Sequence, residues 1–277
     1  MTRPFVKMNG AGNDFVVVNA LETPFAPTAD QARAIADRKT GEGCDQLIAL
    51  EPSTTADAFM RVWNADGGVV ETCGNALRCI GWMLLQSTGK AEVTIDTLGG
   101  PTTARRAADG RITVDMGAPR LDWTQIPLDE AMDTRGIELQ VGPIDAPVLH
   151  TPGAVSMGNP HVVFFMDHTP DDAFVRGTGS LIEHHPRFPE GVNVGFAHVL
   201  APDHIRLRVW ERGAGLTRAC GTGACAALVA AARRGLTGRA ATIEVDGGTL
   251  RIEWDEATDH VFMTGPVEVE RTGTLSI

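Results

Sequence analysis

A near-duplication at an offset of about 147 residues constrains this 277-residue chain more than any other feature. Gly12-Asn13-Asp14-Phe15-Val16-Val17 returns as Gly158-Asn159-Pro160-His161-Val162-Val163. Arg61-Val62-Trp63 returns as Arg208-Val209-Trp210, and Cys-Gly follows each tryptophan at the same distance, as Cys73-Gly74 and Cys220-Gly221. Thr94-Ile95 and Gly99-Gly100 match Thr242-Ile243 and Gly247-Gly248, while Val114, Met116 and Pro119 match Val261, Met263 and Pro266. Five blocks in one order, drifting by a single residue, are the mark of a duplicated unit rather than of chance. The length independently suggests about two domains.

Each half reads as strands with few helices. FVVVNA, QLIALE, FMRVWN, AEVTID and RITVDM have strand character in the first half, and HVVFFM, IRLRVW, ATIEVD, LRIEW and HVFMTG in the second. Thr28-Ala29-Asp30-Gln31 is a capping-box pattern that predicts a helix to about Lys39. A second helix is predicted over 74–87, with Leu77, Ile80 and Leu84 as its apolar stripe and Gly89 as its stop. A third, alanine-rich, is predicted over 221–234, ending in Arg233-Arg234 where cations suit the helix dipole. The expected fold is α+β, with two pseudo-symmetric lobes, each a curved, mostly antiparallel sheet around a central helix. The expected lobes are 1–118 and 119–265. The Pro-, Asp- and Gly-rich stretch 120–150 reads as the linker and the start of the second lobe.

The repeat places a cysteine at the start of a helix in each half. Helix N-termini carry free N–H groups and the positive end of the dipole, which favour a thiolate and bind a carboxylate. Gly74 and Gly221 leave the backbone open to a ligand. A pseudo-twofold arrangement of the lobes would bring Cys73 and Cys220 to opposite sides of a cleft. Two opposed thiols suit inversion of a carbon that bears a hydrogen: one sulfur removes the proton and the other returns one to the opposite face. Cys44, Cys79 and Cys225 read instead as buried small hydrophobes. Asn13 and Asn159 are repeat mates, which favours a paired role at the site. His161, Glu211 and Arg212 stand at matched strand ends.

Several classes are excluded or disfavoured. Twenty-four Lys plus Arg against 35 Asp plus Glu give a net charge of −11, which opposes nucleic-acid binding. No apolar run reaches membrane-spanning length, and no signal peptide is expected at the N-terminus. Tyr is absent, so no tyrosine acid or base is available. No CxxC pair, Walker loop or dinucleotide fingerprint is present, so neither metal nor nucleotide cofactor is expected.

The motifs Gly12-Asn13-Asp14-Phe15, Asn64-Ala65-Asp66-Gly67, Cys73-Gly74-Asn75, Ser156-Met157-Gly158-Asn159-Pro160-His161, Glu211-Arg212-Gly213-Ala214-Gly215 and Ala219-Cys220-Gly221-Thr222-Gly223 resemble those of the diaminopimelate epimerase family over nearly the whole chain. The resemblance implies a cofactor-independent isomerase that interconverts LL- and meso-diaminopimelate in lysine and peptidoglycan-precursor synthesis. It implies a cytoplasmic homodimer with a small-molecule substrate and no nucleic-acid or membrane partner, and a C-terminal segment, 266–277, that returns to the first lobe. By the same resemblance, Cys73 and Cys220 are the acid/base thiols. Asn13, Gln46, Asn64, Gly74, Asn75, Asn159, Asn193, Glu211, Arg212, Gly221 and Thr222 contact substrate, and His161 and Glu211 tune the thiols. Asn9 departs from the family pattern in the first motif, where His is frequent. A proline racemase-like enzyme sharing the fold, a thiol redox protein and a non-catalytic amino-acid-binding pair of lobes are the competing readings.

Overall fold

A computed structural model describes residues 2–276. The chain divides into two compact units, one running to Asp115 and resuming at Thr264, the other spanning Met116–Met263. The first unit runs β1 (Thr2–Gly10), β2 (Asn13–Asn19), α1 (Ala29–Ala36), β3 (Gln46–Glu51), β4 (Ala58–Asn64), β5 (Val69–Val70), α2 (Gly74–Thr88), β6 (Glu92–Asp96), β7 (Thr102–Arg106) and β8 (Ile112–Asp115). The second opens with a single 3-10 turn at Trp123–Gln125, followed by the two-residue strands β9 (Gln140–Val141) and β10 (Leu149–His150). It then repeats the order as β11 (Gly153–Ser156), β12 (Pro160–Met166), α3 (Asp172–Glu183), β13 (Asn193–Ala201), β14 (His204–Glu211), β15 (Gly215–Thr217), α4 (Gly221–Arg233), β16 (Ala240–Val245), β17 (Gly248–Trp254) and β18 (Val261–Gly265). A last strand, β19 (Glu268–Ser276), pairs antiparallel with β1 in the first unit.

Strand pairing repeats as faithfully as element order. The hairpin β1–β2 corresponds to β11–β12, and the next strand adds in parallel in both cases, β3 to β2 and β13 to β12. β4 and β14 then pair antiparallel, and after the helix β6 and β16 return parallel to them. The sheets are therefore mixed, with antiparallel pairs in the majority. Each sheet wraps its second helix. α2 is buried from Gly74 to Gly81 and again at Leu84 and Leu85, and α4 from Gly223 to Ala231. A helix covered on nearly every side needs apolar residues around its whole circumference, which the alanine-rich α4 supplies.

Three local differences from the sequence expectations have physical causes. α1 begins with the predicted Thr28–Gln31 capping box but stops at Ala36 rather than Lys39. The Asp37 side chain accepts from the backbone N–H of Lys39 at 2.8 Å and of Thr40 at 2.7 Å, replacing the next helical turn. Helix α3 has no counterpart in the sequence reading. The stretch 120–150, expected as the linker and the start of the second lobe, lies in the second unit but does not serve as a linker: Ile126, Leu128, Ile137, Leu139 and Leu149 enter that unit's core beside Phe164, Val175 and Phe196. No helix among the described residues is long and apolar enough to cross a membrane.

Candidate active site

The first unit gathers its site residues at one end of neighbouring strands. The β1–β2 turn consists of Ala11 and Gly12, at φ 60° and 90°, the left-handed pair that closes a two-residue hairpin. Asn9 Oδ1 accepts from the Gly12 N–H at 2.8 Å, so the departure at position 9 serves to pin this turn. The turn delivers Asn13 to the start of β2. Gln46 opens β3 in register with Phe15, two residues along β2 from Asn13, and faces Asn64 at the end of β4. Gln46 Nε2 donates to Asn64 Oδ1 at 2.9 Å. Its Oε1 is buried without a hydrogen-bond partner, leaving an acceptor suited to a ligand N–H.

Cys73 is the N-cap of α2, followed by Gly74 and Asn75. Its thiol donates to Asn13 Oδ1 at 3.7 Å, and Asn75 Nδ2 donates to the same oxygen at 3.5 Å. Behind Asn13 lies a charged cluster of Lys7, Asp14, Arg38 and Asp45. Burial pushes the Asp14 carboxyl up, but hydrogen bonds from Arg38 and Lys7 outweigh it and hold the group well below the usual carboxylate range.

The second unit builds the corresponding half with different chemistry. Asn159 precedes β12, His161 lies in parallel register with Asn193 at the start of β13, and Glu211 ends β14. Cys220 caps α4, ahead of Gly221 and Thr222. The sulfur accepts from the Gly223 N–H at 3.3 Å and lies 3.6 Å from Thr222 Oγ1. His161 Nε2 is 3.0 Å from both Asn159 Oδ1 and Thr222 Oγ1, and Asn159 Nδ2 donates to Thr222 Oγ1 at 3.3 Å. Asn193 is spent largely on the backbone. It donates to the Pro160 carbonyl at 2.8 Å and accepts from the Arg212 N–H at 2.9 Å. The Arg212 guanidinium gives one N–H to the Glu190 carbonyl at 2.8 Å and is otherwise exposed. Glu183 grips the same loop, accepting from Trp210 Nε1 at 2.7 Å and from the Gly213 N–H at 2.8 Å.

The electrostatics correct one expectation. At Cys220 the lowering influence of a helix N-terminus is outweighed. Burial pushes it well above the ordinary value and the Glu211 carboxylate adds to this, against weaker help from Thr222 and the Gly223 N–H. Cys220 is 5% exposed, whereas Cys73 is only partly buried. All five cysteines are thiols. Burial pushes Cys44 up to about 11 and Cys79 to about 12, as suits inert core residues.

His161 is held neutral, because burial, helped by the Arg212 charge, drives it down to about 3 from 6.5. A folded-state value below the unfolded one means stability present above the unfolded value and lost on acidification. Stability from the neutral imidazole is therefore complete above pH 6.5 and declines as pH falls from 6.5 toward 3. His161→Gln should flatten that part of the slope, read as urea midpoints against pH; an unchanged slope would show that His161 does not carry it.

A family model, "Diaminopimelate epimerase", matches residues 5–121 and again 153–270. The chain belongs to the diaminopimelate epimerase family. A diaminopimelate epimerase of Caulobacter sp. (strain K31) is 62% identical over 283 residues, covering 99% of this chain and 98% of the relative. That of Rhodospirillum centenum is 55% identical over 278 residues, covering 100% and 93%. Among solved structures, a hydroxyproline epimerase from Agrobacterium vitis aligns with a TM-score of 0.69 at 18% identity, covering 99% of this chain and 92% of that one. A phenazine biosynthesis protein from Enterococcus faecalis aligns at 0.70 and 14%, each chain fully covered. At such identities the structural likeness bears on the fold alone, and the racemase-like reading has only that distant likeness behind it.

Sequence reasoning passed over three side chains around Asn13 and Asn75: Arg38, Asp45 and Arg78. Arg78 is the sharpest omission, since a charge amid the apolar stripe of α2 is itself a signal. It is fully buried, and its Nη1 donates to Asn75 Oδ1 at 2.9 Å.

Proposed function

We propose that this protein is a cofactor-independent diaminopimelate epimerase that inverts one α-carbon between the LL and meso forms, using Cys73 and Cys220 as its two acid/base groups. The observation that carries the reading is the pair of repeat-matched cysteines. Each caps a buried helix and is followed by glycine; Cys73 is hydrogen-bonded to Asn13, and Cys220 to Thr222 and the Gly223 N–H. Family membership supplies the substrate.

The step begins with one sulfur as thiolate and the other as thiol. The thiolate takes the α-proton, and the electron pair of the C–H bond passes into the carboxylate as an enediolate-like anion. Free N–H groups at the helix starts favour that charge. The thiol on the opposite face then gives its proton to carbon, and the two sulfurs end with exchanged protonation states. Glu211 supports this scheme as the carboxylate beside Cys220, able to hold the proton that the thiol must shed before acting as base. Neutral His161 supports it by fixing Thr222 and Asn159 without adding charge. Gln46 Oε1 is a suitable acceptor for the substrate ammonium. The same reading carries a cytoplasmic homodimer, for which mass in solution is the check.

Incubation of LL-diaminopimelate with the enzyme in deuterated water tests the proposal. Newly formed meso product should carry deuterium at the inverted carbon, while LL substrate recovered early remains protiated. Loss of deuterium discrimination between product and early substrate would point to one exchanging base, and no turnover of diaminopimelate would overturn the substrate assignment.

A further inference from the structure

We infer that Asp45, backed by Arg78 at the other end of the same hydrogen-bond chain, is a positioning residue that turns the acceptor face of Asn13 toward the Cys73 thiol. The inference rests on the proposed role of Cys73 as a reactive thiol.

An asparagine amide presents oxygen on one side and nitrogen on the other, and little distinguishes the two orientations sterically. Its partners must therefore choose between them. Asp45 offers only acceptors: its Oδ2 receives Asn13 Nδ2 at 2.8 Å and the Asp14 N–H at 3.1 Å. The nitrogen of Asn13 is thus committed to Asp45, and its Oδ1 is left toward Cys73 Sγ and Asn75 Nδ2. At the far end Arg78 offers only donors, and its Nη1 claims Asn75 Oδ1, which turns the Asn75 nitrogen toward Asn13. An acceptor-only group and a donor-only group thereby set both amides in one sense.

The two ends are themselves anchored. Arg38 Nη2 holds Asp45 Oδ1 at 2.7 Å while pairing with Asp14, and the Asp45 N–H donates to Asp14 Oδ1 at 2.9 Å. Arg78 is fully buried on α2 and reaches the Pro266 carbonyl at 3.5 Å. An ideal Cβ on Gly10 would stand 3.2 Å from its Nη2, so the β1 backbone closes directly over it.

The consequence is chemical. Asn13 Oδ1 accepts from an S–H but has nothing to offer a thiolate. With Asp45 in place, Cys73 is kept as a proton carrier until substrate arrives. Without it, Asn13 is free to present its N–H groups to sulfur, and the thiolate gains a donor.

The test is the rate at which iodoacetamide alkylates Cys73 at pH 7 without substrate, followed by peptide mass mapping, alongside kcat and KM for diaminopimelate. Asp45→Ala should alkylate roughly tenfold faster, the size expected when a donor replaces an acceptor beside a forming thiolate. Its kcat should fall by a similar factor. Asp45→Asn, which can accept or donate, should lie between it and the native protein, and serves if the alanine variant does not fold. Arg38→Gln removes the ion pair but keeps the acceptor, so its alkylation rate should stay near native. Alkylation of Cys73 within twofold of native in folded Asp45→Ala, or in Asp45→Asn if that alone folds, would overturn the inference. Equal acceleration in Arg38→Gln would do the same, by showing general loosening. Failure of the underlying reading looks different: Cys73→Ala would then retain turnover.

Discussion

Replacing Cys73 or Cys220 by Ala should lower epimerisation by about 10²–10⁴-fold in either direction, the range general acid–base groups supply. Each direction needs one base and one acid, so neither sulfur is dispensable. The two losses need not be equal, because the halves differ. Cys220 is buried beside Glu211, while Cys73 is partly exposed and faces Asn13 Oδ1. Matching substitutions at Cys79 or Cys225 should leave kcat nearly unchanged, since both are core residues on the buried parts of α2 and α4. The measurement is kcat/KM from LL and from meso substrate. Near-native turnover by either single variant would end the two-thiol assignment.

The second large effect concerns the distal end of the substrate. On the proposed mechanism the helix N–H groups receive the reacting carboxylate and would serve any amino acid, so selectivity must come from groups that meet the second head. Arg212 is suited to this, with an exposed planar fork whose backbone is pinned by Asn193 and whose loop is gripped by Glu183. Asn64 and Glu211 occupy matched places in the repeat and differ in charge, so the two halves are not chemically equivalent. Sites built around such polar groups reject analogues lacking the partner by about 10⁴-fold or more. L-Lysine lacks the distal carboxylate and L-proline lacks the whole head. The kcat/KM for LL-diaminopimelate should therefore exceed both by that order, and Arg212→Lys should weaken the diaminopimelate reaction. Comparable constants for all three amino acids, or a preference for proline, would instead favour a racemase.

The halves also show where reading a sequence stops. Helix α3 escaped because Gly177 and Gly179 weaken its local signal. Yet a Cβ at Gly179 would lie 2.5 Å from Trp210, so the glycine answers a packing demand from β14, some thirty residues later. The repeat held the missing information, since α1 occupies the matching place in the first half. The stretch 120–150 looked like a linker because Pro, Asp and Gly dominate it, and its few apolar residues gain meaning only against Phe164 and Phe196.

Duplication of the strand blocks, both Cys-Gly helix starts, the capping box of α1 and the asparagines at matched strand ends all follow from local pattern and spacing. These are short-range properties, written in consecutive residues and copied twice. The tertiary structure decided what those groups experience. It buried Cys220 beside Glu211 and so raised the thiol that a helix N-terminus alone would have lowered. It held His161 neutral, and it set the amide sense of Asn13 through Asp45 and Arg78. Desolvation and hydrogen-bond polarity depend on neighbours distant in the chain, and no period or motif encodes them.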